Sequence, residues 1–131
     1  MASKAHLVKV LFVCVGNSAR SQMAEAIARH NGLVAASAGT EPASRVHPLA
    51  LDVLRERGVS AAGLHPKVID WDGLKGFDRT ITMGCGVAES CPSLRTDEDW
   101  ELDDPAGMGM PEFRAMADEI ERRVRLLKKA T

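Results

Sequence analysis

An open, parallel α/β sheet with helices on both faces is the fold class that this sequence predicts. Strand-like and helix-like segments alternate in the order β-α-β-α-β-β-α, the signature of a parallel sheet with right-handed crossovers. The first segment, Leu7–Val15 (LVKVLFVCV), is a nearly unbroken apolar run, as expected of a strand buried on both sides. The chain has 131 residues, 45% of them hydrophobic, which suits one domain with one core. The expectation is a single domain over residues 1–131, a three-layer open sheet of about four parallel strands with helices on both faces.

After the first strand comes GNSARS, a loop of small and polar residues. A helix is predicted over Gln22–His30, with Met23, Ala26 and Ile27 at helical spacing and Asn31-Gly32 as its stop. Val34–Ala38 reads as the second strand, and Gly39-Thr40-Glu41-Pro42 as a loop. Pro48–Arg57 reads as a helix that carries Leu49, Val53 and Leu54 on one stripe and ends at Gly58. Phe77–Met83 is the third predicted strand, Gly84–Asp97 a long loop, and Trp100–Leu102 a short fourth strand. Pro111 opens a last helix, where proline is tolerated, with Phe113, Met116, Ile120, Val124 and Leu127 on its apolar face. Trp71 and Trp100 are read as packing residues, and His47 and His65 as loop residues outside any site.

Seventeen Lys and Arg oppose eighteen Asp and Glu, for a net charge of -1. That balance argues against a nucleic-acid partner held by phosphate neutralisation and against an anionic membrane surface. No apolar run approaches the roughly 18 residues of a membrane span, and the first residues do not have the shape of a secretion signal. The expectation is a cytoplasmic monomer. Three cysteines are an odd number for a compartment that keeps thiols reduced.

In open α/β sheets ligands sit beyond the C-terminal ends of the strands. The first strand ends at Cys14 and the third just before Cys85, on one predicted rim. The loop after the first strand is Cys14-Val15-Gly16-Asn17-Ser18-Ala19-Arg20-Ser21, leading into a helix. Backbone N–H groups of Val15, Gly16, Asn17, Ser18, Ala19, Arg20 and Ser21 can curl into an anion-binding nest above a helix N-terminus. Arg20 adds a planar fork matched to two oxygens of a tetrahedral oxyanion. A sulfur on the floor of that nest is favoured as thiolate, the nucleophilic form. Ser21 is placed to donate to it and Asn17 to brace the loop. A Walker-type nucleotide loop is excluded, because the required Gly-Lys-Ser/Thr is absent. Asp104-Pro105 on a later loop offers a carboxylic acid that can protonate a departing oxygen, although such a pair is commonly only a turn. Cys85 and Cys91 flank five residues. A zinc site there would need a second Cys or His pair at suitable spacing, and His6, His30, His47 and His65 show no such pattern. The expectation is no metal and no bound cofactor.

The segment VLFVCVGNSARSQMAEA, Val10–Ala26, resembles the opening of the low-molecular-weight protein tyrosine phosphatase superfamily. SAGTEPA at Ser37–Ala43, TMGCGVAESCP at Thr82–Pro92 and DDPAG at Asp103–Gly107 resemble the arsenate reductases within it. The resemblance covers essentially the whole chain. It implies a catalytic set of Cys14, Arg20, Cys85, Cys91 and Asp104, with arsenate as substrate and phosphate or sulfate as competing oxyanions. It further implies a disulfide relay. Cys14 attacks arsenate, Asp104 protonates the hydroxide, Cys85 attacks Cys14 to expel arsenite, and Cys91 relieves Cys14. Thioredoxin then supplies the reducing equivalents. Gly84 and Gly86 are read as giving the Cys85 segment freedom to move. Some relatives hold a potassium ion near the loop; here Asn17, Glu25 and Ser37 offer oxygens, but Lys67 stands where a carboxylate would be wanted, so its ammonium is expected to fill that place.

The five-residue Cys85–Cys91 spacing is one shorter than the three-cysteine pattern. Glutathione with glutaredoxin, or mycothiol with mycoredoxin, is therefore the alternative reductant. Two other readings compete. One is a phosphatase, sharing Cys14, Arg20 and Asp104; against it stand Ala106 and Gly107 where an aromatic residue would grip a ring, and the lack of any Tyr. The other is a non-enzymatic oxyanion-binding module, which would not need nucleophile, fork and acid together.

Overall fold

A computed structural model describes residues 8–84, 96–103 and 107–130. Its elements are β1 (Lys9–Cys14), α1 (Arg20–His30), β2 (Val34–Gly39), α2 (Pro48–Glu56), a 3₁₀ turn at Gly73–Gly76, β3 (Arg79–Thr82), β4 (Glu98–Asp99) and α3 (Met110–Ala130). The strands form one sheet in the order β2-β1-β3-β4, and every pair is parallel. Lys9 pairs with Val34 and Cys14 with Gly39 on one side of β1, while Val10 pairs with Arg79 and Val13 with Thr82 on the other. The chain thus leaves β1 for one neighbour and later returns to the opposite side. That reversal makes the C-terminal end of β1 the switch point, where open sheets bind ligands.

Strand alternation splits β1 between two cores. Val10, Phe12 and Cys14 pack with Met23 and Ile27 of α1, Val53 and Leu54 of α2, and Phe113, Ile120 and Val124 of α3. Phe12 is fully buried, which is worth about 2–3 kcal/mol relative to exposure. Leu11 and Val13 face the other way, against Ala38 and Ile69, with Leu74 and Phe77 from the segment containing the 3₁₀ turn at the edge. Among the described residues, α-helices cover the first face and this short segment covers the second.

The helices begin and end for local reasons. At α2, His47 Nδ1 accepts the Leu49 N–H at 3.1 Å, and Pro48 follows at the first position. Gly32 (φ 88°) and Gly58 (φ 70°) carry the chain out of α1 and α2 in the left-handed region that only glycine enters freely.

Three expectations need correction. The fourth strand is Glu98–Asp99, not Trp100–Leu102. Its acidic residues suit the position because the neighbouring carboxylates meet donors of β3: Thr80 N–H reaches Asp97 Oδ2 at 2.8 Å and the Thr82 hydroxyl reaches Asp99 Oδ1 at 2.7 Å. Trp100 is buried instead, its ring 5.3 Å from that of Phe12. Trp71 is not a packing residue; half of it is exposed, since it lies in the thin cover of the second face. The first helix starts at Arg20, two residues earlier than expected, so Arg20 and Ser21 stand on its first turn.

Candidate active site

Cys14 is the last residue of β1 and is buried. Residues 15–19 then turn into α1, which has no side-chain cap at Ala19, so its first N–H groups are not closed off by a capping oxygen. The turn lies against the end of β2 because Gly39 has no side chain. A Cβ there would stand 2.7 Å from Val15 O and 2.8 Å from Asn17 Cβ.

Six successive carbonyls of this loop are captured from outside. Cys14 O accepts from Thr40 N–H (3.3 Å), Val15 O from Glu41 N–H (2.8 Å), Gly16 O from Ala43 N–H (2.8 Å) and Ser18 O from His47 N–H (2.9 Å). Asn17 O accepts from Gln22 Nε2 (2.9 Å) and Ala19 O from Met23 N–H (2.9 Å). In a trans peptide unit the N–H points opposite to the C=O. Drawing carbonyls 14 to 19 outward therefore turns the N–H groups of residues 15 to 20 inward, which is how an anion nest is built. One of these amides is already engaged: Asn17 N–H donates to Cys14 Sγ at 3.1 Å.

The bonds around the sulfur assign their own directions. Lys67 N–H donates to Asn17 Oδ1 at 2.9 Å, which fixes which end of the amide is oxygen. Asn17 Nδ2 then donates to Ser21 Oγ at 2.7 Å. With its oxygen accepting, the Ser21 hydroxyl is free to donate to Cys14 Sγ, 2.9 Å away. The sulfur thus faces an N–H and an O–H, both suited to a thiolate. Asn17 holds this bracing role at φ 47°, a left-handed conformation that Asn tolerates better than most residues.

Arg20 is buried, and its Nη1 donates to Met83 O and to Leu102 O, each at 3.0 Å. Both bonds end on neutral carbonyls, which fix the guanidinium without cancelling its charge. Among the described residues nothing bonds Nε or Nη2, whose N–H groups can make a two-pronged contact with an oxyanion.

Glu25, also buried, accepts from the Ser37 hydroxyl at 2.6 Å and pairs with Arg29 at 2.7 Å. Lys67 Nζ lies 3.6 Å from its Oε1 and donates to His65 O at 2.9 Å. The ammonium of Lys67 thus reaches Glu25 Oε1, while Asn17 Oδ1 is taken by the Lys67 backbone. Among the described residues no group of three or more His, Cys, Asp or Glu is placed to hold a metal, and no helix is long and apolar enough to cross a membrane.

Cys14, Ser21 and the loop between them come together at the C-terminal end of β1, with Arg20 on the first turn of α1. Cys85, Cys91, Gly86 and Asp104 lie outside the described residues; Asp103, the residue before the expected acid, is exposed. Gly84 plays a steric part at Arg20 that the expectation of freedom did not include. The reading of the residues missed Gln22, which is fully buried and ties Asn17 O to His65 O (2.8 Å to the latter). It also missed the segment 40–47, whose amides hold the loop, and set aside His47 and His65, whose backbones both brace the site. The one available signal was a Gln on the apolar-periodic first turn of a helix, where an uncharged amide needs buried partners.

The site is thus a buried thiol at the end of a central strand, in a loop whose carbonyls face outward, with a buried arginine on the first turn of the helix that follows. Residues 9–131 match the family described as low molecular weight phosphotyrosine protein phosphatase, and the chain belongs to it. It is 40% identical over 123 residues to an arsenate reductase of Brevibacillus brevis, covering 88% of this chain and 90% of that protein. It is 38% identical over 123 residues to a glutaredoxin arsenate reductase of Synechocystis sp., with 88% and 92% covered. The structure is similar to that of a thioredoxin-dependent arsenate reductase of Corynebacterium glutamicum, with a TM-score of 0.78 and 38% identity over 97% of this chain and 63% of that one.

Proposed function

We propose that this chain reduces arsenate to arsenite by a three-cysteine relay and returns to its reduced state through thioredoxin. The observation that carries the reading is the seat of Cys14 Sγ, bonded by Asn17 N–H and Ser21 Oγ in a loop whose carbonyls are all drawn outward. The similarity to proteins named arsenate reductase supports the choice of oxyanion. The presence of Cys85 and Cys91 supports reduction over hydrolysis.

The Cys14 thiolate forms a sulfur–arsenic bond on arsenate held by the nest and Arg20, and Asp104 protonates the hydroxide, which leaves as water. The Cys85 thiolate then attacks Cys14 Sγ. The electron pair of the sulfur–arsenic bond moves to arsenic, which leaves as arsenite two electrons richer. Cys14 and Cys85 are left as a disulfide. Cys91 attacks Cys85, freeing Cys14, and the dithiol of thioredoxin reduces the Cys85–Cys91 disulfide. The same cradle would support weak phosphomonoester hydrolysis.

The glutaredoxin reductase relative and the five-residue cysteine spacing favour a second reading of the electron source, glutathione with glutaredoxin. The deciding assay follows NADPH consumption with arsenate under thioredoxin, glutaredoxin with glutathione, and mycoredoxin with mycothiol. The thioredoxin arm is expected to sustain turnover, Cys85→Ser to release no arsenite at all, and Cys91→Ser to stop after about one cycle. Turnover only with glutathione would replace thioredoxin. No NADPH consumption in any arm would overturn arsenate reduction.

A further inference from the structure

We propose that Gly84 is a positioning residue for Arg20. Its missing side chain lets the Leu102 carbonyl meet the guanidinium, and that meeting aims the charge into the Cys14 loop. Arg20 Nη1 spends both hydrogens on backbone carbonyls, Met83 O and Leu102 O. These come from two chain segments that run side by side in the sheet, the end of β3 and the residues after β4. Gly84 fills the gap between them with φ 130°, a region that side chains rarely enter. A Cβ on Gly84 would collide with Leu102 O and stand 2.7 Å from Arg20 Nη1.

The turn is also fixed from outside. Asp99 Oδ1 accepts the Gly84 N–H at 3.0 Å and the Thr82 hydroxyl at 2.7 Å. Next to Leu102, Glu101 holds φ 40°, a left-handed conformation that a non-glycine residue keeps only where its surroundings impose it. With Nη1 committed, Arg20 presents Nε and Nη2 to an oxyanion in one orientation. Without it, a long side chain must be ordered anew each time an anion binds. Gly84 is therefore needed as absent volume, whereas a hinge would need it for its mobility.

The proposal rests on the Cys14 loop being an oxyanion site, but not on arsenate being reduced. Its test uses inorganic phosphate to shield Cys14 from iodoacetamide, with the Cys14 peptide followed by mass spectrometry. Gly84→Ala is expected to raise the phosphate concentration for half-shielding by about tenfold or more, the equivalent of one strong contact. Asp99→Ala, which loosens the same turn without adding atoms to the site, is expected to raise it about threefold and keeps the test decisive if Gly84→Ala does not fold. Alkylation without phosphate should keep its wild-type rate in Asp99→Ala, because the Ser21 and Asn17 bonds to the sulfur are untouched; general loosening would raise it. Wild-type shielding in Gly84→Ala, or in Asp99→Ala where the first does not fold, would overturn the proposal and leave the oxyanion reading standing. Wild-type protein that phosphate never shields would overturn both.

Discussion

The Cys14 loop and the wet face of α3 hold their arginines by opposite means. On α3, Arg122 and Arg123 both bond Glu119, and Arg125 bonds Glu121, each pair at 2.6–2.8 Å and partly open to solvent. These cations are matched by carboxylates one helical turn away, so the face carries many charges and little field. In the loop, a single buried arginine is held by two neutral carbonyls. Dipoles fix its position while, among the described residues, no carboxylate pairs with it, so its charge is available to an anion. The surface arrangement suits solubility. The buried one spends folding energy to keep a charge ready, and hydrogen bonds there are worth more because water does not compete for them.

The hardest test of that contrast is Cys14→Ser. It keeps the volume and the bonding geometry but replaces a thiol with an alcohol that does not ionise near neutral pH. Arsenate reduction and aryl phosphate hydrolysis are both expected to vanish in steady-state assays, with the thermal midpoint changed little. Sizeable residual reduction would remove Cys14 from the nucleophile's role. Asn17→Ala comes next. It deletes the amide that joins Lys67, Ser21 and the loop, and puts Ala at φ 47°. The stability loss is expected to be about 1–3 kcal/mol by denaturant titration, from unsatisfied buried groups and backbone strain. The kcat/KM should fall by more than the unfolded fraction explains, because Ser21 loses the partner that directs its hydroxyl to the sulfur. Activity per folded molecule equal to wild type would show that the thiol does not depend on this relay.

Most of the framework was legible in the sequence, for physical reasons. The apolar run of β1, the helical stripes on α2 and α3, and the glycine stops at Gly32 and Gly58 are local signals that burial then reinforces. The Cys14–Ser21 loop was legible because nucleophile, fork and brace lie within eight residues. What stayed hidden depends on pairings distant in sequence. Nothing local marks Ala43 or His47 as donors to the loop, because they act through the backbone, which has no residue identity. The same is true of the Leu102 carbonyl, 82 residues from the arginine that it holds. Trp100 packs against Phe12, as a packing residue should, but the strand expected to begin at it forms two residues earlier, from acidic residues that propensity disfavours.

The smallest expected effect lies on the α3 side of the comparison. Glu119 has its carboxyl held down to about 2 by the hydrogen bond from Arg122 first and that from Arg123 second. Arg123 also lies over the Trp100 ring at 5.9 Å, so Glu119 helps to hold it there. A folded-state value below the unfolded one means that the unfolded chain binds the proton more readily, so acid favours unfolding. The contribution is therefore full above the ordinary carboxylate value of 4.5 and fades as pH falls toward about 2. Solvent screens the pairs, so the stabilisation is about 0.5–1 kcal/mol, well short of what the shift alone would suggest. Glu119→Gln should thus lower stability by about that much near neutral pH and low salt, and by less in about 1 M salt, where the Debye length shrinks to roughly 3 Å. In acid the variant and the wild type should converge, as read by urea titration across the pH range. A deficit that persisted in acid and in salt would mean that Glu119 acts through packing over Trp100 rather than through charge, and that the two regions hold their arginines less differently than their geometry implies.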